Sequence, residues 1–260
     1  MTKANTAHAV IRHWAEKTPE RIFLTQPHNG EVQEWTFAQA YDAASRLAQW
    51  FVDHGYETGD RVALLSKNCA EWIITDLGLQ MAGLVLVPIY PTASSETIRY
   101  VIEHSGAKAF ISGRLDNPGV LDSVFSDALT TISMRYDSVS CEHSWQAMID
   151  SSSPIEHPYD PDEEETMTIL YTSGSTGRPK GVVISYRAYA YASSTCTDIY
   201  GITPDDRLMS YLPLAHVAER TASTGPVLYG GGTFFFADSL ETFVDDLNRA
   251  KPTLFTSVPR

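Results

Sequence analysis

Short apolar segments alternate with segments of helical spacing over residues 61–111, and this alternation restricts the possible folds more than any other feature of the sequence. The apolar segments are hydrophobic at successive positions, which is typical of strands buried on both faces. They predict an α/β fold with mostly parallel sheets, covered by helices on both faces. Strands and helices are predicted in turn at 61–65, 70–81, 84–87, 95–105 and 108–111.

The flanking sequence carries further local signals. Asn29 and Gly30 separate two apolar segments and predict a β-hairpin, and Thr36 with Gln39 predicts a capping box at the start of a helix. The pattern over residues 112–150 is less clear, and it is compatible with a helix at 120–125 and a strand at 130–134. Toward the end of the chain, helices and strands are predicted at 186–200, 207–211, 216–229, 233–236, 240–250 and 253–258.

The composition limits the classes of function. The 260 residues are 43% hydrophobic, so the chain can bury a substantial core. The net charge of −13 argues against a nucleic-acid partner, because phosphate contacts need clustered Lys and Arg. Three isolated cysteines and the lack of a hydrophobic leader predict a cytoplasmic protein without disulfides or a zinc site. The longest apolar run is too short to span a bilayer.

A segment rich in Gly, Ser and Thr lies at residues 171–181 between two predicted strands, and reads Tyr-Thr-Ser-Gly-Ser-Thr-Gly-Arg-Pro-Lys-Gly. Amides in such a turn form an anion-binding concavity, and Lys180 adds a mobile positive charge. The segment is not a Walker loop, because Pro179 precedes the lysine and Gly181, which has no hydroxyl, follows it. The pattern predicts a site for nucleotide phosphates rather than a flexible hairpin tip.

Residues 171–181 resemble the phosphate loop of the adenylate-forming (AMP-binding) superfamily, which includes acyl-CoA synthetases, aryl-CoA ligases, luciferases and the adenylation domains of peptide synthetases. The resemblance implies ATP, Mg²⁺ and coenzyme A as cofactors and co-substrates, and a catalytic role for Lys180. No residue of the chain is predicted to ligate a metal ion. By the same resemblance, the residues that bind the phosphates are Thr172, Ser173, Gly174, Ser175, Thr176, Gly177 and Lys180.

A second motif, Leu-Pro-Leu-Ala-His-Val-Ala-Glu-Arg at residues 212–220, follows a predicted strand, where α/β proteins place ligand sites. It resembles the form found in long-chain fatty acyl-CoA synthetases, which more often have Ser at the position of Ala215. The resemblance implies that His216 is catalytic and lies near the acyl carboxylate and the path of pyrophosphate, whereas a lone His is more often structural. Glu219 and Arg220 are either part of this motif or an ion pair on a helix surface.

The resemblance extends over nearly the whole chain and is weakest at residues 112–165. Family members continue much further, with motifs for adenine, ribose and magnesium and with a small C-terminal domain. Residues 1–260 are therefore expected to be the N-terminal portion of the large AMP-binding domain. We expect two approximate halves, 1–150 and 166–260, joined by a solvated acidic connector at 151–165.

By resemblance, the full-length protein would activate a fatty acid to an acyl-adenylate and then to acyl-CoA, and this chain alone would be inactive. The implied partners are fatty acid, ATP and coenzyme A. Two alternatives stay open: another acyl or aryl adenylating ligase, and a non-catalytic nucleotide-binding or assembly module. Peripheral membrane contact and self-association of the chain also stay open.

Overall fold

The computed structural model describes residues 6–125, 129–136, 139–172 and 178–257, which form two compact units. Within these ranges no helix combines the length and the hydrophobicity needed to cross a membrane. The first unit comprises Met1–Asp42, Asn68–Ala70 and Arg187–Arg260, and the second comprises Ala43–Lys67 and Glu71–Tyr186.

The helices and strands are numbered in chain order. The α-helices are α1 (Ala7–Lys17), α2 (Phe37–Asp53), α3 (Ala70–Met81), α4 (Ser95–Ser105), α5 (Trp145–Ser151), α6 (Tyr186–Tyr200), α7 (Gly225–Gly230) and α8 (Phe243–Ala250). The strands are β1 (Ile22–His28), β2 (Glu31–Thr36), β3 (Arg61–Leu65), β4 (Val85–Ile89), β5 (Ala109–Ser112), β6 (Thr130–Ser133), β7 (His143–Ser144), β8 (Thr166–Thr172), β9 (Lys180–Ser185), β10 (Arg207–Ser210) and β11 (Thr233–Phe236).

The second unit is built on a sheet with the strand order β7-β6-β5-β3-β4-β8-β9. Every neighbouring pair is parallel except β8 and β9, which are antiparallel. The central strands β3, β4 and β5 are buried along nearly their whole length, as expected for strands covered on both faces. Ile98 and Val101 of α4 pack with Phe110 of β5 in the core of this unit. The predicted fold class is confirmed.

The first unit is built on a smaller sheet with the order β10-β11-β1-β2. β10, β11 and β1 run parallel to one another, and β1 pairs with β2 in an antiparallel hairpin. The predicted turn is confirmed, because Asn29 and Gly30 both have the positive φ angles that a two-residue hairpin turn requires, 50° and 84°.

Helix ends follow the sequence closely. The predicted capping box is present, since the Gln39 amide donates to Thr36 Oγ1 at 3.2 Å and the Thr36 amide donates to Gln39 Oε1 at 2.9 Å. Ser94 caps α4, and Gly106 ends it in the left-handed region with φ 63°. These local hydrogen bonds determine where the helices begin and end.

The predicted strand at 84–87 was expected to end before Pro88, but β4 continues to Ile89. Pro88 pairs in register with Leu64 of β3, and Ile89 pairs with Leu65. A proline removes only one ladder N–H, and the burial of Ile89 favours continuing the strand.

The prediction of a single α-helix at 216–229 is wrong, because the helical segment changes its type along its length. Residues Glu219–Thr224 form a π-helix, and α7 begins at Gly225. Pro226 has no N–H for the carbonyl four residues earlier, so a regular α-helix cannot run through this point. The wider turn is visible in the hydrogen bond from the Gly225 amide to the Arg220 carbonyl.

One other prediction, the last strand, needs correction. The strand predicted at 253–258 is a single bridge between Leu254 and Leu208 within the described residues. In the less clear region, the possible strand at 130–134 is present as β6, a short 3-10 helix at Pro118–Leu121 stands near the possible helix at 120–125, and α5 was not predicted. The connector at 151–165 packs along the second unit, where Ile155 and Tyr159 donate backbone hydrogen bonds to Ser45 and Met81. β8 and β9 join the sheet of the second unit, and the division into halves 1–150 and 166–260 stays a prediction.

Candidate functional site

The predicted phosphate loop joins β8 to β9, and the two strands pair with each other in an antiparallel hairpin. Their register sets Tyr171 opposite Gly181 and Thr172 opposite Lys180. Thr172 and Lys180 are therefore neighbours at the loop end of the hairpin, and both are exposed. The other predicted phosphate-binding residues, Ser173, Gly174, Ser175, Thr176 and Gly177, lie outside the described residues.

The sequence of the hairpin explains why its strands pair so closely. A Cβ atom on Gly181 would lie 2.9 Å from Cγ2 of Ile169 and 3.4 Å from Cζ of Tyr171, so a larger residue would collide with the neighbouring strand. Tyr171 itself is buried. The glycine after Lys180 thus lets β9 approach β8 and keeps the lysine in register with Thr172.

Two aromatic residues of α4 support the hairpin, and the sequence reasoning missed both. The Nδ1 atom of His104 lies 2.8 Å from the Tyr171 hydroxyl, and the Tyr100 hydroxyl donates to the Pro179 carbonyl at 3.2 Å. The Arg178 guanidinium lies over the Tyr100 ring, 5.7 Å from its centre. The four-residue spacing of Tyr100 and His104 on a predicted helix is the signal that could have indicated a common face.

The electrostatics of the hairpin end suit an anion. Lys180 supplies an ammonium group with three donors, and Thr172 supplies a hydroxyl. Burial raises the pKa of the Tyr171 hydroxyl above its usual value, so this group stays protonated and neutral beside them. Together these groups supply hydrogen-bond donors and a positive charge without any negative charge, and such a group can bind phosphate oxygens.

The second predicted motif forms a loop after β10, residues 211–218, which we call the His216 loop. His216 is exposed, and its backbone amide donates to the Pro213 carbonyl at 2.9 Å. Its ring atom Nδ1 accepts a hydrogen bond from the Ala218 amide at 3.1 Å. In the neutral ring this leaves the proton on Nε2, where it can be donated to an oxygen of a ligand.

Glu219 and Arg220 are buried side chains, with exposed fractions of 2% and 1%. The interpretation as an ion pair on a helix surface is therefore wrong. Burial raises the pKa of Glu219 to about 7, and the hydrogen bond from Ser210 acts in the opposite direction. The Arg220 guanidinium lies 5.7 Å from the centre of the Tyr189 ring. Both residues lie on the π-helix and pack inside the first unit.

Asn68 is a residue of this region that the sequence reasoning did not select. It belongs to the first unit, where its side chain is buried and forms hydrogen bonds with Ser210, Leu212 and Leu214. No local pattern distinguishes it, because an Asn that follows a strand is usually a turn residue.

The predicted site residues divide between the two units. The hairpin with Thr172 and Lys180 belongs to the second unit, and His216 belongs to the first. In the part of the chain that the structure describes, no three His, Cys, Asp or Glu side chains group in a way that could hold a metal ion.

Comparison with known proteins decides the family. The sequence matches the AMP-binding enzyme family over residues 11–260, which includes both the hairpin and the His216 loop. The chain belongs to the AMP-binding enzyme family. The membership predicted from residues 171–181 is confirmed. Long-chain acyl-CoA synthetases, which the second motif resembles, are among the similar proteins.

Two curated relatives illustrate the similarity of this AMP-binding chain. Long chain acyl-CoA synthetase 7, peroxisomal, of Arabidopsis thaliana is 30% identical over 276 residues, covering 98% of this chain and 38% of the relative. Long-chain-fatty-acid–CoA ligase ACSBG2 of Mus musculus is 30% identical over 278 residues, covering 98% of this chain and 41% of the relative. The AMP-binding chain thus spans about two fifths of the length of these proteins.

Solved structures agree with the fold. The inhibitor-bound N-terminal domain of FACL13 from Mycobacterium tuberculosis has a TM-score of 0.80 and 25% identity, covering 98% of this chain and 63% of that one. Mycobacterium smegmatis MbtA has a TM-score of 0.85 at 22% identity, and the match covers 97% of this chain and 48% of MbtA. The AMP-binding chain therefore shares the architecture of proteins that are considerably longer.

Proposed function

We propose that the full-length protein containing this chain is an ATP-dependent, AMP-forming ligase that activates a fatty acid and transfers it to coenzyme A. The observation that carries the proposal is the β8–β9 register, which sets Thr172 opposite Lys180 at the end of a hairpin in a member of the AMP-binding enzyme family. The names of its relatives, long-chain acyl-CoA synthetases, support a fatty acid as the substrate.

ATP would be held by its phosphates at the end of the hairpin. Lys180 would offset their negative charge, and the Thr172 hydroxyl would donate a hydrogen bond to a phosphate oxygen. Both side chains are exposed, so neither group serves the core. Ser173, Gly174, Ser175, Thr176 and Gly177 stay predictions for the same role. Mg²⁺ prefers phosphate oxygens and water to a cage of protein ligands, so it would enter with ATP.

The reaction would proceed in two displacements. An oxygen of the fatty acid carboxylate attacks the α-phosphorus of ATP, the bond to the bridging oxygen breaks, and pyrophosphate leaves with that electron pair. The thiol sulfur of coenzyme A then attacks the acyl carbon, loses its proton, and displaces AMP. Lys180 would lower the first barrier by stabilising charge on the departing pyrophosphate.

His216 would act on the carboxylate side of the reaction. Its ring is exposed and Nδ1 accepts the Ala218 amide, so in the neutral ring Nε2 carries the proton and can donate to a carboxylate or pyrophosphate oxygen. This would orient the attacking oxygen and offset developing charge without a transfer of the proton. The role follows the predicted motif and stays a proposal. A cytoplasmic location likewise stays a prediction, since one relative is named as peroxisomal.

The decisive experiment replaces Lys180 in the full-length protein. ATP–pyrophosphate exchange with a long-chain fatty acid should fall by about 10²–10³-fold in Lys180→Ala, the loss expected for one donor to a developing anion. Lys17→Ala is the matched control, because Lys17 is an exposed lysine of α1 outside the hairpin. Equal exchange in the two variants would remove Lys180 from the proposal.

A second experiment separates the remaining alternatives. The full-length protein is assayed for exchange with a long-chain fatty acid and with an aromatic carboxylate. Exchange with the aromatic acid alone would identify an aryl ligase, and ATP binding without exchange would identify a non-catalytic nucleotide-binding module. His216→Ala should lower exchange while thermal unfolding stays cooperative. Full activity in that variant would make His216 a structural residue.

A further inference from the structure

The His216 loop is closed at its base by a hydrogen bond between two buried side chains. The hydroxyl of Ser210, the last residue of β10, donates to Oε1 of Glu219 at 2.9 Å. The two residues are 0% and 2% exposed. Because Ser210 precedes the loop and Glu219 follows it, this bond restricts the separation of the two loop ends.

Asn68 holds the middle of the same loop. Its Nδ2 atom donates to the Leu212 carbonyl at 2.7 Å, and its Oδ1 atom accepts from the Leu214 amide at 3.0 Å. These two backbone groups flank Pro213, which has no N–H of its own. The Asn68 side chain therefore pairs with the loop backbone as a neighbouring strand would.

The two attachments form one network. Nδ2 of Asn68 also donates to Oγ of Ser210 at 2.9 Å, and Ser210 in turn donates to Glu219. A hydroxyl that accepts from one group and donates to another is restricted in rotation, and consecutive hydrogen bonds strengthen one another in a low dielectric. Loss of one member would leave the others buried without their partners. The network is therefore suited to hold the loop in a single conformation.

His216 is bonded to both parts of the loop that this network holds. Its amide donates to the Pro213 carbonyl at 2.9 Å, and its carbonyl accepts from the Arg220 amide at 3.3 Å. Pro213 lies between the two groups bound by Asn68, and Arg220 follows Glu219 on the π-helix. A shift at either attachment would move the His216 backbone.

We propose that Asn68 and Glu219 are positioning residues for His216, which fix the His216 loop through Ser210 without touching the substrate. The inference rests on the proposed role of His216 in carboxylate activation. It assigns a purpose to a buried carboxyl and a buried amide that the proposed chemistry does not otherwise use. Both residues should affect the rate at saturating substrate and leave ATP binding unchanged.

The test uses Asn68→Ala, Ser210→Ala and two variants of Glu219 in the full-length protein. Glu219→Ala removes the acceptor for Ser210, whereas Glu219→Gln retains an acceptor oxygen and should rescue most of the rate. Asn68→Ala should lower kcat for ATP–pyrophosphate exchange by about 10²-fold, the scale of loss from a misplaced reacting group, with KM for ATP unchanged. If Asn68→Ala does not fold, Ser210→Ala, which removes one hydroxyl, carries the same test.

Thr75→Val is the matched control for a purely structural effect. Thr75 is buried in the second unit, where its Oγ1 accepts from Nε1 of Trp145 at 2.9 Å. Its loss also leaves a buried donor unpaired and should lower the melting temperature by a similar amount. If Thr75→Val loses as much kcat as Ser210→Ala at equal loss of melting temperature, the positioning role is overturned.

A second readout separates this inference from the proposed function. Amide hydrogen exchange at Leu214 and His216 should accelerate in Asn68→Ala and Ser210→Ala and stay unchanged in Thr75→Val. A full-length protein without exchange activity toward any carboxylate would refute the proposed function, and accelerated amide exchange would still support the positioning of the loop. Unchanged amide exchange at both residues in Asn68→Ala would overturn the inference whatever the activity.

Discussion

The β8–β9 hairpin and the His216 loop are held in place by different forces. In the hairpin, backbone pairing sets Thr172 opposite Lys180, and the side chains proposed to bind phosphate are exposed. In the His216 loop, the backbone is held by buried polar side chains, above all Asn68 and Glu219. The hairpin is thus ordered by its strands and the loop by its side-chain network.

The difference has a consequence for substitution. A functional side chain of the hairpin can be removed with little effect on folding, because the strand pairing persists without it. A polar side chain beneath the His216 loop cannot be removed so easily, because its partners are buried and lose their hydrogen bonds. Function and stability should therefore separate in the hairpin and change together in the loop.

The largest expected effect is a pH dependence that originates at Glu219. Its pKa is about 7 in the folded protein, against 4.5 for an ordinary Glu, so between these values the folded state retains a proton that the unfolded state has lost. Stability therefore falls as pH rises through this window, by on the order of 3 kcal/mol, and falls no further above it.

Urea unfolding at pH 5 and pH 8 checks this expectation. Glu219→Gln carries no charge at either pH, so its free energy of unfolding should decrease much less between pH 5 and pH 8 than that of the parent. Glu31→Gln is the control, since Glu31 is exposed at the start of β2 in the same unit. If the free energy of unfolding depends on pH in the same way in the parent and in Glu219→Gln, Glu219 is not the source of the pH dependence.

Gly225→Ala should have the next largest effect, about 2 kcal/mol of lost stability from overpacking. A Cβ atom at this position would meet the Ser193 side chain of α6 first, and would lie 2.7 Å from the Arg220 carbonyl oxygen of the π-helix that carries Glu219. Chemical denaturation measures the loss. In the control Gly119→Ala, the nearest atom to the new Cβ is 3.4 Å away, so little change is expected. Equal stability of both variants would contradict the close packing around the π-helix.

Tyr171→Phe should cost about 1 kcal/mol, the typical contribution of one hydrogen bond, because it removes the contact with His104. Amide exchange should change in the hairpin and not at His216, since the hydrogen bonds that hold the His216 loop do not include Tyr171. Tyr191→Phe serves as the control because Tyr191 is 68% exposed. A loss of protection at His216 in Tyr171→Phe would break the distinction between the two regions.

Lys180→Ala should have the smallest effect on stability, within about 0.5 kcal/mol, as is usual for surface substitutions. Thermal unfolding compared with Asn68→Ala sharpens the contrast, because the latter should unfold at a clearly lower temperature. A destabilisation of Lys180→Ala as large as that of Asn68→Ala would mean that the lysine supports the hairpin structurally.

The sequence alone was sufficient for features that depend on near neighbours. The alternation of strands and helices, the turn at Asn29 and the capping box at Thr36 were all predicted correctly, because each rests on local propensity and short-range hydrogen bonds. The strands on either side of residues 171–181 were also predicted, but their antiparallel pairing, which sets Thr172 opposite Lys180, was established only by the structure.

Only the tertiary structure revealed what holds these local features in place. Asn68 and Ser210 are 142 positions apart in the chain, and His104 and Tyr171 are 67 apart. No period or spacing connects such residues in the sequence, because their pairing depends on which side chains the packing of strands and helices buries together. For the same reason the sequence left open whether Glu219 belongs to the motif or to a surface ion pair, whereas the structure shows its side chain buried in the first unit.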